Sequence, residues 1–143
     1  MTGSDFASLT PIELLTLCLY GEARGESPSG KLAVAHVVLN RLAAAPRYGK
    51  NIPEIILRPY QFSCFLDSDP NLRHLINMSL SGHYDPVCYH IASLALDGYT
   101  IDPTGGANLY HVEAMLRYPA WTQSPSVTVL MQIGNHLFYR EEV

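Results

Sequence analysis

The stretch Thr10–Glu26, TPIELLTLCLYGEARGE, combines a helix start with a glutamate at the end of an apolar helix face. Thr10, Pro11 and Glu13 provide an N-cap, a proline for the first turn and the carboxylate of a capping box. The apolar residues that follow recur at the spacing of one helix face. The sequence therefore predicts an amphipathic helix that ends just before Gly25.

Four more helices are predicted after this one, each bounded by a capping residue, proline or glycine. The second, from Ser27-Pro28 to about Ala45, is apolar nearly all round, which is typical of a central, buried helix. The others are predicted over residues 52–57, 70–80 and 85–97.

The last third of the chain changes to strand periodicity. Residues 107–112 can form a short strand, and alternation over 127–133, a Gly-Asn turn and residues 136–140 predict an antiparallel hairpin. Helices in the N-terminal two thirds and a small antiparallel sheet at the C-terminus indicate an α+β fold. We expect one catalytic domain over residues 10–143, preceded by a flexible arm over residues 1–9.

Composition limits the classes of function. The chain has 143 residues and 15.8 kDa, with 48% apolar and 15% charged residues, which indicates one globular domain. Nine Lys and Arg against thirteen Asp and Glu give a net charge of −4. This charge balance disfavours electrostatic binding of nucleic acid over the whole fold, and we expect no nucleic-acid partner. We also expect a monomer.

Targeting signals are not recognisable in the sequence. The first ten residues carry no basic and apolar signal-peptide regions, and no run is apolar enough to span a membrane. An odd number of cysteines, three, predicts a reduced compartment without a disulfide framework. We expect synthesis in the cytoplasm without a signal peptide.

Glu22 is the most informative candidate for chemistry. On a helical wheel it falls on the apolar face of the first helix. A carboxylate at the end of an apolar face loses part of its hydration, which raises its pKa and favours a general acid. The alternative is a structural glutamate paired with Arg24 or another arginine. Glu26, beyond Gly25, is predicted to be solvated or to cap the next helix.

Histidines and cysteines offer further alternatives. His111 and Glu113 match the start of a zinc-deaminase motif, but no cysteine follows them, so we expect no metal and no cofactor. His36 is predicted to be a core histidine with one hydrogen-bond partner. Cys64 could form a nucleophile pair with His111 or His136, although most free cysteines are small buried residues. Both interpretations of Cys64 stay open.

Short motifs spread over nearly the whole chain indicate a family. In chain order they are Tyr20–Glu26, Gly30 with Ala33-Val34-Ala35, Asn40-Arg41, Gln61-Phe62-Ser63, Asp102–Ala107, Tyr110-His111, Pro119 with Trp121, and Ile133-Gly134 with His136, Phe138 and Tyr139. Their order and spacing resemble the SleB/CwlJ-type cell wall hydrolases, which cut the glycan strands of peptidoglycan. The Gln61–Asn71 segment is similar to bacteriophage-encoded members.

The resemblance implies a lysozyme-like domain with Glu22 as the essential residue and bacterial peptidoglycan as the partner. It implies a lytic transglycosylase that acts on the MurNAc-β-1,4-GlcNAc bond and forms 1,6-anhydro products. The sequence shows no obvious second carboxylate, which favours this reaction over hydrolysis. Alternatives are a muramidase, a Cys-His amidase or peptidase, and a non-catalytic wall-binding module.

The residues expected to contact substrate are polar or aromatic, or can bring backbone close to a sugar. They are Gln61, Ser63, Thr104, Gly105, Tyr110, His111, Trp121 and Tyr139. A small domain without a leader also suits a phage endolysin that reaches the wall through a holin-type membrane lesion.

Overall fold

Helix α1, Pro11–Ala23, begins as the sequence predicts. The computed structural model describes residues 3–143, with side chains from residue 6 onward. The backbone N–H of Glu13 donates to Thr10 Oγ1 over 3.3 Å, and the backbone N–H of Thr10 donates to Glu13 Oε1 over 2.9 Å. These two hydrogen bonds complete the capping box and fix where the helix starts.

The burial of α1 differs from the single apolar face that its periodicity predicts. Every residue from Leu14 to Leu19 is buried, so the helix is enclosed on all sides. The one polar side chain in this run, Thr16, donates its hydroxyl hydrogen to the carbonyl of Ile12 over 2.7 Å. The buried hydroxyl is thus satisfied, and α1 is a central helix of the domain.

Four further α-helices follow close to the predicted positions. They are α2 (Pro28–Ala43), α3 (Ile52–Leu57), α4 (Leu72–Ser81) and α5 (Pro86–Leu96). The side chains of Ser27, Asn51 and Asp85 cap α2, α3 and α5 by accepting a backbone N–H. Helix α4 begins two residues later than predicted, because Asp69 Oδ1 accepts the backbone N–H of Asn71 and holds this segment in a turn.

The N-terminal segment packs against the domain. Gly3–Ser8 forms a 3-10 helix, and Phe6 is fully buried, with its ring 5.4 Å from that of Phe65. The structure therefore differs from the flexible arm predicted over residues 1–9, because a phenylalanine in this segment reaches the core. Residues 1 and 2 lie outside the described residues.

The C-terminal third forms a three-stranded antiparallel sheet in the order β1-β3-β2. The strands are β1 (Leu109–Val112), β2 (Val127–Ile133) and β3 (His136–Glu141). A register shift between Val129 and Met131 interrupts the pairing of β2 with β3. With the helices before it, this sheet confirms the α+β fold.

Two apolar clusters join helices and sheet. The larger surrounds α1, and the smaller consists of Ala33, Val37, Ala107 and Phe138, between α2 and the sheet. Tyr110 on β1 packs against both clusters, which fixes its ring in place. Among the helices formed by residues 3–143, none has the length and apolarity required to cross a bilayer.

Candidate active site

Glu22 lies in the last turn of α1, beside the segment that leads into α4. Its neighbour Gly21 is the point of closest approach: a Cβ there would lie 2.5 Å from both Cβ and Sγ of Cys64. Only glycine allows the two backbones to come this close. The glycine in the motif thus brings the Gln61–Asn71 segment against α1 and closes one side of a cavity around Glu22.

The carboxylate of Glu22 is half-buried and held by one neutral donor. The hydroxyl of Tyr110 donates to Glu22 Oε1 over 2.6 Å. Burial, together with the negative charge of Glu22, raises the pKa of Tyr110, so its hydroxyl remains a donor at neutral pH. Arg24 donates to Tyr20 over 3.2 Å instead, and within the described part of the chain no cation lies within 4.0 Å of Glu22. The alternative of a structural ion pair is therefore wrong.

A cavity of about 270 Å³ opens onto this carboxylate. Four of the predicted contact residues line it: Gln61, Ser63, Tyr110 and His111. The cavity also contains side chains that the sequence analysis did not assign to substrate, namely Arg41, Asp69, Asn71, Val112 and His136. The lining is thus mainly polar, which suits a sugar.

The other predicted contact residues lie elsewhere. Thr104 is fully buried: its hydroxyl donates to Asp102 Oδ1 over 2.7 Å and accepts the backbone N–H of Ala107 over 3.0 Å. Gly105 occupies the same turn with φ of 71°, so its role is conformational. Neither residue lines the Glu22 cavity. The motif here builds a turn that joins the helices to the sheet.

Tyr139 and Trp121 lie next to the site: Tyr139 contacts His111, and Trp121 packs against Tyr139. The hydroxyl of Tyr139 lies 2.8 Å from Nε2 of His111, and the ring of Trp121 packs edge-on against Tyr139 at 5.0 Å. Trp121 lines a neighbouring cavity, and Tyr139 lines neither. Tyr139 therefore positions His111 and does not face the Glu22 cavity.

Asp69 is a second carboxylate in the cavity, which corrects the expectation of a single one. One of its oxygens accepts the backbone N–H of Asn71 over 2.8 Å. The Asp-Pro-Asn sequence was a detectable turn signal, but nothing local indicates that the turn faces Glu22.

Glu26 has a structural role, which corrects the prediction that it is solvated or caps a helix. Its oxygens accept the backbone N–H and the side-chain amide of Asn135, each over 2.9 Å. Its side chain is largely buried against the β2–β3 turn, where a Cβ on Gly134 would collide with it. Glu26 therefore fastens this turn to the α1–α2 connection.

His136, at the start of β3, lies between the two glutamates. Its Nδ1 is buried without a hydrogen-bond partner, 3.9 Å from Glu26 Oε1. Burial lowers the pKa of His136, against the opposing effect of Glu26 and Glu22, so the neutral form is favoured. His36, in contrast, has the single partner that the sequence predicts, the hydroxyl of Thr100 at 2.7 Å.

The cysteines do not form a nucleophilic site. All three are buried, and burial raises the pKa of the Cys64 thiol well above its usual range, which removes the thiolate. Among the described residues, no histidine is hydrogen-bonded to Cys64, because His111 bonds to Val112 and Tyr139. In the same part of the chain, no group of three or more His, Cys, Asp or Glu side chains could hold a metal ion.

Comparison with known proteins identifies the family. The family model described as Cell Wall Hydrolase matches residues 25–139. The chain belongs to the cell wall hydrolase family. This confirms the family predicted from the motifs, and it confirms that the chain is an enzyme. The matched segment begins after Glu22, so the assignment of Glu22 rests on the geometry described above.

Sequence relatives and solved structures agree with the family. The spore cortex-lytic enzyme of Halalkalibacterium halodurans is 31% identical over 134 residues, covering 89% of this chain and 34% of the relative. The chain thus spans about a third of that relative's length. The catalytic domain of the SleB protein of Bacillus cereus is 25% identical, with a TM-score of 0.67, over 90% of this chain and 88% of that domain.

A second solved structure has the same fold. The catalytic domain of the germination-specific lytic transglycosylase SleB from Bacillus anthracis aligns with a TM-score of 0.69 and 24% identity, over 92% of this chain and 94% of that one. The helices and the small C-terminal sheet therefore form the lysozyme-like fold that the resemblance implied.

Proposed function

We propose that this enzyme is a lytic transglycosylase that cleaves the MurNAc-β-1,4-GlcNAc bond of peptidoglycan, with Glu22 as general acid and then general base. The observation that carries the proposal is the Glu22–Tyr110 pair. One carboxylate oxygen is held at 2.6 Å by a neutral hydroxyl, and no cation competes within 4.0 Å among the described residues. The carboxyl group lines the cavity, from which it can deliver a proton to a bound sugar.

The reaction begins with proton transfer from Glu22 to the glycosidic oxygen. The C1–O4 bond breaks, the GlcNAc side leaves as an alcohol, and an oxocarbenium-like centre develops on the muramic acid. Glu22 is now a carboxylate. It takes the proton of the C6 hydroxyl of the same sugar while that oxygen bonds to C1. This step closes the 1,6-anhydro ring and restores the acid.

An intramolecular nucleophile has the advantage that it needs no separately bound water. Well-oriented groups in one molecule reach effective concentrations of about 10⁵ M or more. Gln61 and Ser63, both exposed and lining the cavity, would bind acetamido groups in this proposal. Tyr110 orients Glu22.

Product analysis tests this proposal. Purified peptidoglycan is digested, and the released fragments are identified by mass spectrometry. Transglycosylation predicts anhydro-muramic ends, which are lighter by one water than hydrolysis products and resist borohydride reduction. Reducible ends in their place would reject the transglycosylase mechanism and retain glycan cleavage.

Hydrolysis by a muramidase is the second candidate, and the position of Asp69 in the cavity supports it. An inverting glycosidase uses a second carboxylate to activate water. Under that mechanism Asp69→Asn would abolish the reducible products. Under transglycosylation the variant would still release anhydro ends, because Asp69 has no chemical step to perform.

The amidase alternative makes a different prediction. Iodoacetamide would inactivate a cysteine enzyme, and its products would carry new free amino groups. We expect the native protein to resist alkylation, since all three thiols are buried. A non-catalytic wall-binding module would sediment with cell walls and release no soluble fragment.

We infer further that the enzyme acts on the wall during phage release, reaching it through a holin-type lesion. This role rests on the similarity of the Gln61–Asn71 segment to phage-encoded members. Expression in a bacterial host with and without a hole-forming protein tests it, and lysis in the absence of that protein would reject it.

A further inference from the structure

A second cavity, of about 390 Å³, adjoins the one that contains Glu22. The two share three lining residues: Arg41, Gln61 and Tyr110. When a polymer is bound in the Glu22 cavity, a neighbouring unit or a side branch of the polymer would therefore lie next to the second cavity. We name it the arginine cavity, because Arg41, Arg47 and Arg58 all line it.

Arg41 forms the floor of the arginine cavity and is 4% exposed. Its Nε donates to the carbonyl of Asn108 over 2.7 Å, and its guanidinium lies 5.2 Å and 5.0 Å from the ring centres of Tyr48 and Phe62. Its Nη1 makes only a long hydrogen bond, 3.4 Å, to Gln61. Contact with the two rings holds the planar group in place, and Arg41 lines both cavities.

No acidic oxygen lies within 4.0 Å of Arg41 in the described part of the chain, and the charges of Glu22 and Glu141 act on it only from farther away. A buried cation without a counter-ion in direct contact is costly, and an incoming anion reduces that cost. A guanidinium also matches the two oxygens of a carboxylate in geometry. The buried end of the cavity is therefore suited to an anion.

The rim adds two more cations. Arg47 pairs with Glu141 at 3.0 Å, whereas Arg58 donates only to the carbonyl of Arg47 over 3.2 Å. Three arginines against one glutamate leave an excess of two positive charges in the cavity. The net charge of the whole chain is −4, so this cavity is a local concentration of positive charge on a negatively charged protein.

Aromatic side chains complete the walls. Trp121 lines one side, and Tyr60 lies at the rim with 83% of its surface exposed. Tyr60 also has a φ of 66°, a left-handed backbone conformation that is uncommon for a residue other than glycine. Such strain is concentrated at binding and catalytic sites, where the surrounding structure maintains it.

We propose that the arginine cavity binds the carboxylates of the peptide stem on the muramic acid next to the cleaved bond. This inference rests on the proposed cleavage of peptidoglycan at Glu22. Sugar rings and acetamido groups are neutral, whereas the stems that branch from muramic acid carry carboxylates. A cavity that joins the Glu22 cavity through Arg41 is placed to take such a branch. The enzyme thereby selects glycan that bears charged stems.

The test compares two forms of one substrate. Soluble, uncrosslinked glycan strands that carry peptide stems are used either native or with their carboxyls converted to amides by carbodiimide and ammonia. The wild type should cleave native strands about three- to tenfold faster in kcat/KM, the range expected for partly exposed charge-assisted contacts. Most of the difference should appear in KM.

Arg58→Gln provides the matched variant, since Arg58 is exposed and its loss leaves the core untouched. It should show a smaller preference for native strands than the wild type, because it lowers the positive charge of the cavity while Arg41 remains. Arg73→Gln removes the same charge from the exposed surface of α4, away from both cavities, and should retain the preference. Equal cleavage of the two strands by the wild type would overturn the proposal, as would equal effects of the two variants.

A binding measurement separates this proposal from the proposed reaction. Glu22→Gln protein is sedimented with insoluble peptidoglycan, native or amidated, alone and combined with Arg58→Gln. Weaker retention on amidated than on native walls, with a smaller difference in the Arg58→Gln protein, supports the subsite even if no glycan cleavage is observed. Cleavage by the wild type and retention of Glu22→Gln that are both independent of stem charge reject the subsite and leave the reaction at Glu22 intact.

Discussion

Two glutamates four residues apart, Glu22 and Glu26, belong to one motif and have opposite roles. Glu22 accepts one hydrogen bond, from the neutral hydroxyl of Tyr110, and faces a cavity. Glu26 accepts two from Asn135 and is packed against a turn. The difference teaches that the donors aimed at a carboxylate, together with its burial, decide whether its oxygens are available for chemistry.

The largest expected effect is that of Glu22→Gln. Glutamine keeps the shape and the hydrogen bond to Tyr110 but has no proton to donate. Because general acid catalysis contributes about 10²–10⁴-fold, the rate of glycan release should fall by this factor. Release of soluble fragments from purified peptidoglycan measures it, with the melting temperature as the control for folding. A variant within tenfold of wild type would reverse the roles assigned to the two glutamates.

Tyr110→Phe should have the next largest effect. The ring keeps its packing on Phe138 and His136 while Glu22 loses the hydroxyl that donates to Oε1. A hydrogen bond to a charged group contributes about 1.5–3 kcal/mol, so kcat should fall about 10- to 100-fold. Tyr84→Phe is the matched control, since Tyr84 donates to Glu13, away from the cavity, over 3.1 Å. Similar losses in both variants would show that the Tyr110 bond is not specific to catalysis.

Glu26→Ala tests the structural role of the second glutamate. Two hydrogen bonds to the β2–β3 turn are lost, so the free energy of unfolding should fall by about 1–3 kcal/mol. The melting temperature should fall by roughly 3–10 °C. Glu54→Ala, at an exposed position of α3, should leave it unchanged. Stable Glu26→Ala protein with lost activity would place Glu26 in the reaction instead.

The pH dependence of stability reports on His136, between the two glutamates. Its pKa is lowered in the folded state, so the unfolded chain takes up a proton near pH 6.5 that the folded chain does not. Stability is therefore full above pH 6.5 and decreases as pH falls towards the folded pKa, by at most about 1.4 kcal/mol per pH unit.

His36 contributes in the same direction, because burial also lowers its pKa. Denaturant unfolding at several pH values between 7.5 and 5.5 should give a smaller slope for His136→Gln than for the wild type. An unchanged slope would show that His136 is not the neutral, buried group described here.

Much of the fold was predictable because its signals are local. Caps such as Thr10, Ser27 and Asp85 act within three residues, so sequence alone predicts the helix starts. The burial of α1 on all sides was not predicted, because the helical spacing of its apolar residues was interpreted as a single apolar face. Nearly all residues of Leu14–Leu19 are nevertheless apolar. How many sides of a helix are covered depends on its neighbours in space.

The candidate site was predictable only in part, since it is assembled over long distances in the chain. Glu22 was identified from a helical wheel, and its partner Tyr110 lies 88 residues away. Asp69 and His136 gave no local indication that they face the same cavity. Thr104 and Gly105 were predicted to contact substrate but form a structural turn. The prediction failed because such a turn contains the same residue types as a binding loop.

The central claim, that Glu22 donates the proton that releases the sugar, is tested most directly with a leaving group that needs no proton. The rates of wild type and Glu22→Gln are compared on native glycan and on a peptidoglycan oligosaccharide with a 2,4-dinitrophenyl leaving group, where phenolate release reports bond cleavage alone. We expect the deficit of about 10²–10⁴-fold on glycan to shrink below about tenfold on the activated substrate. An equal deficit on both substrates would contradict the assignment of Glu22 as the acid.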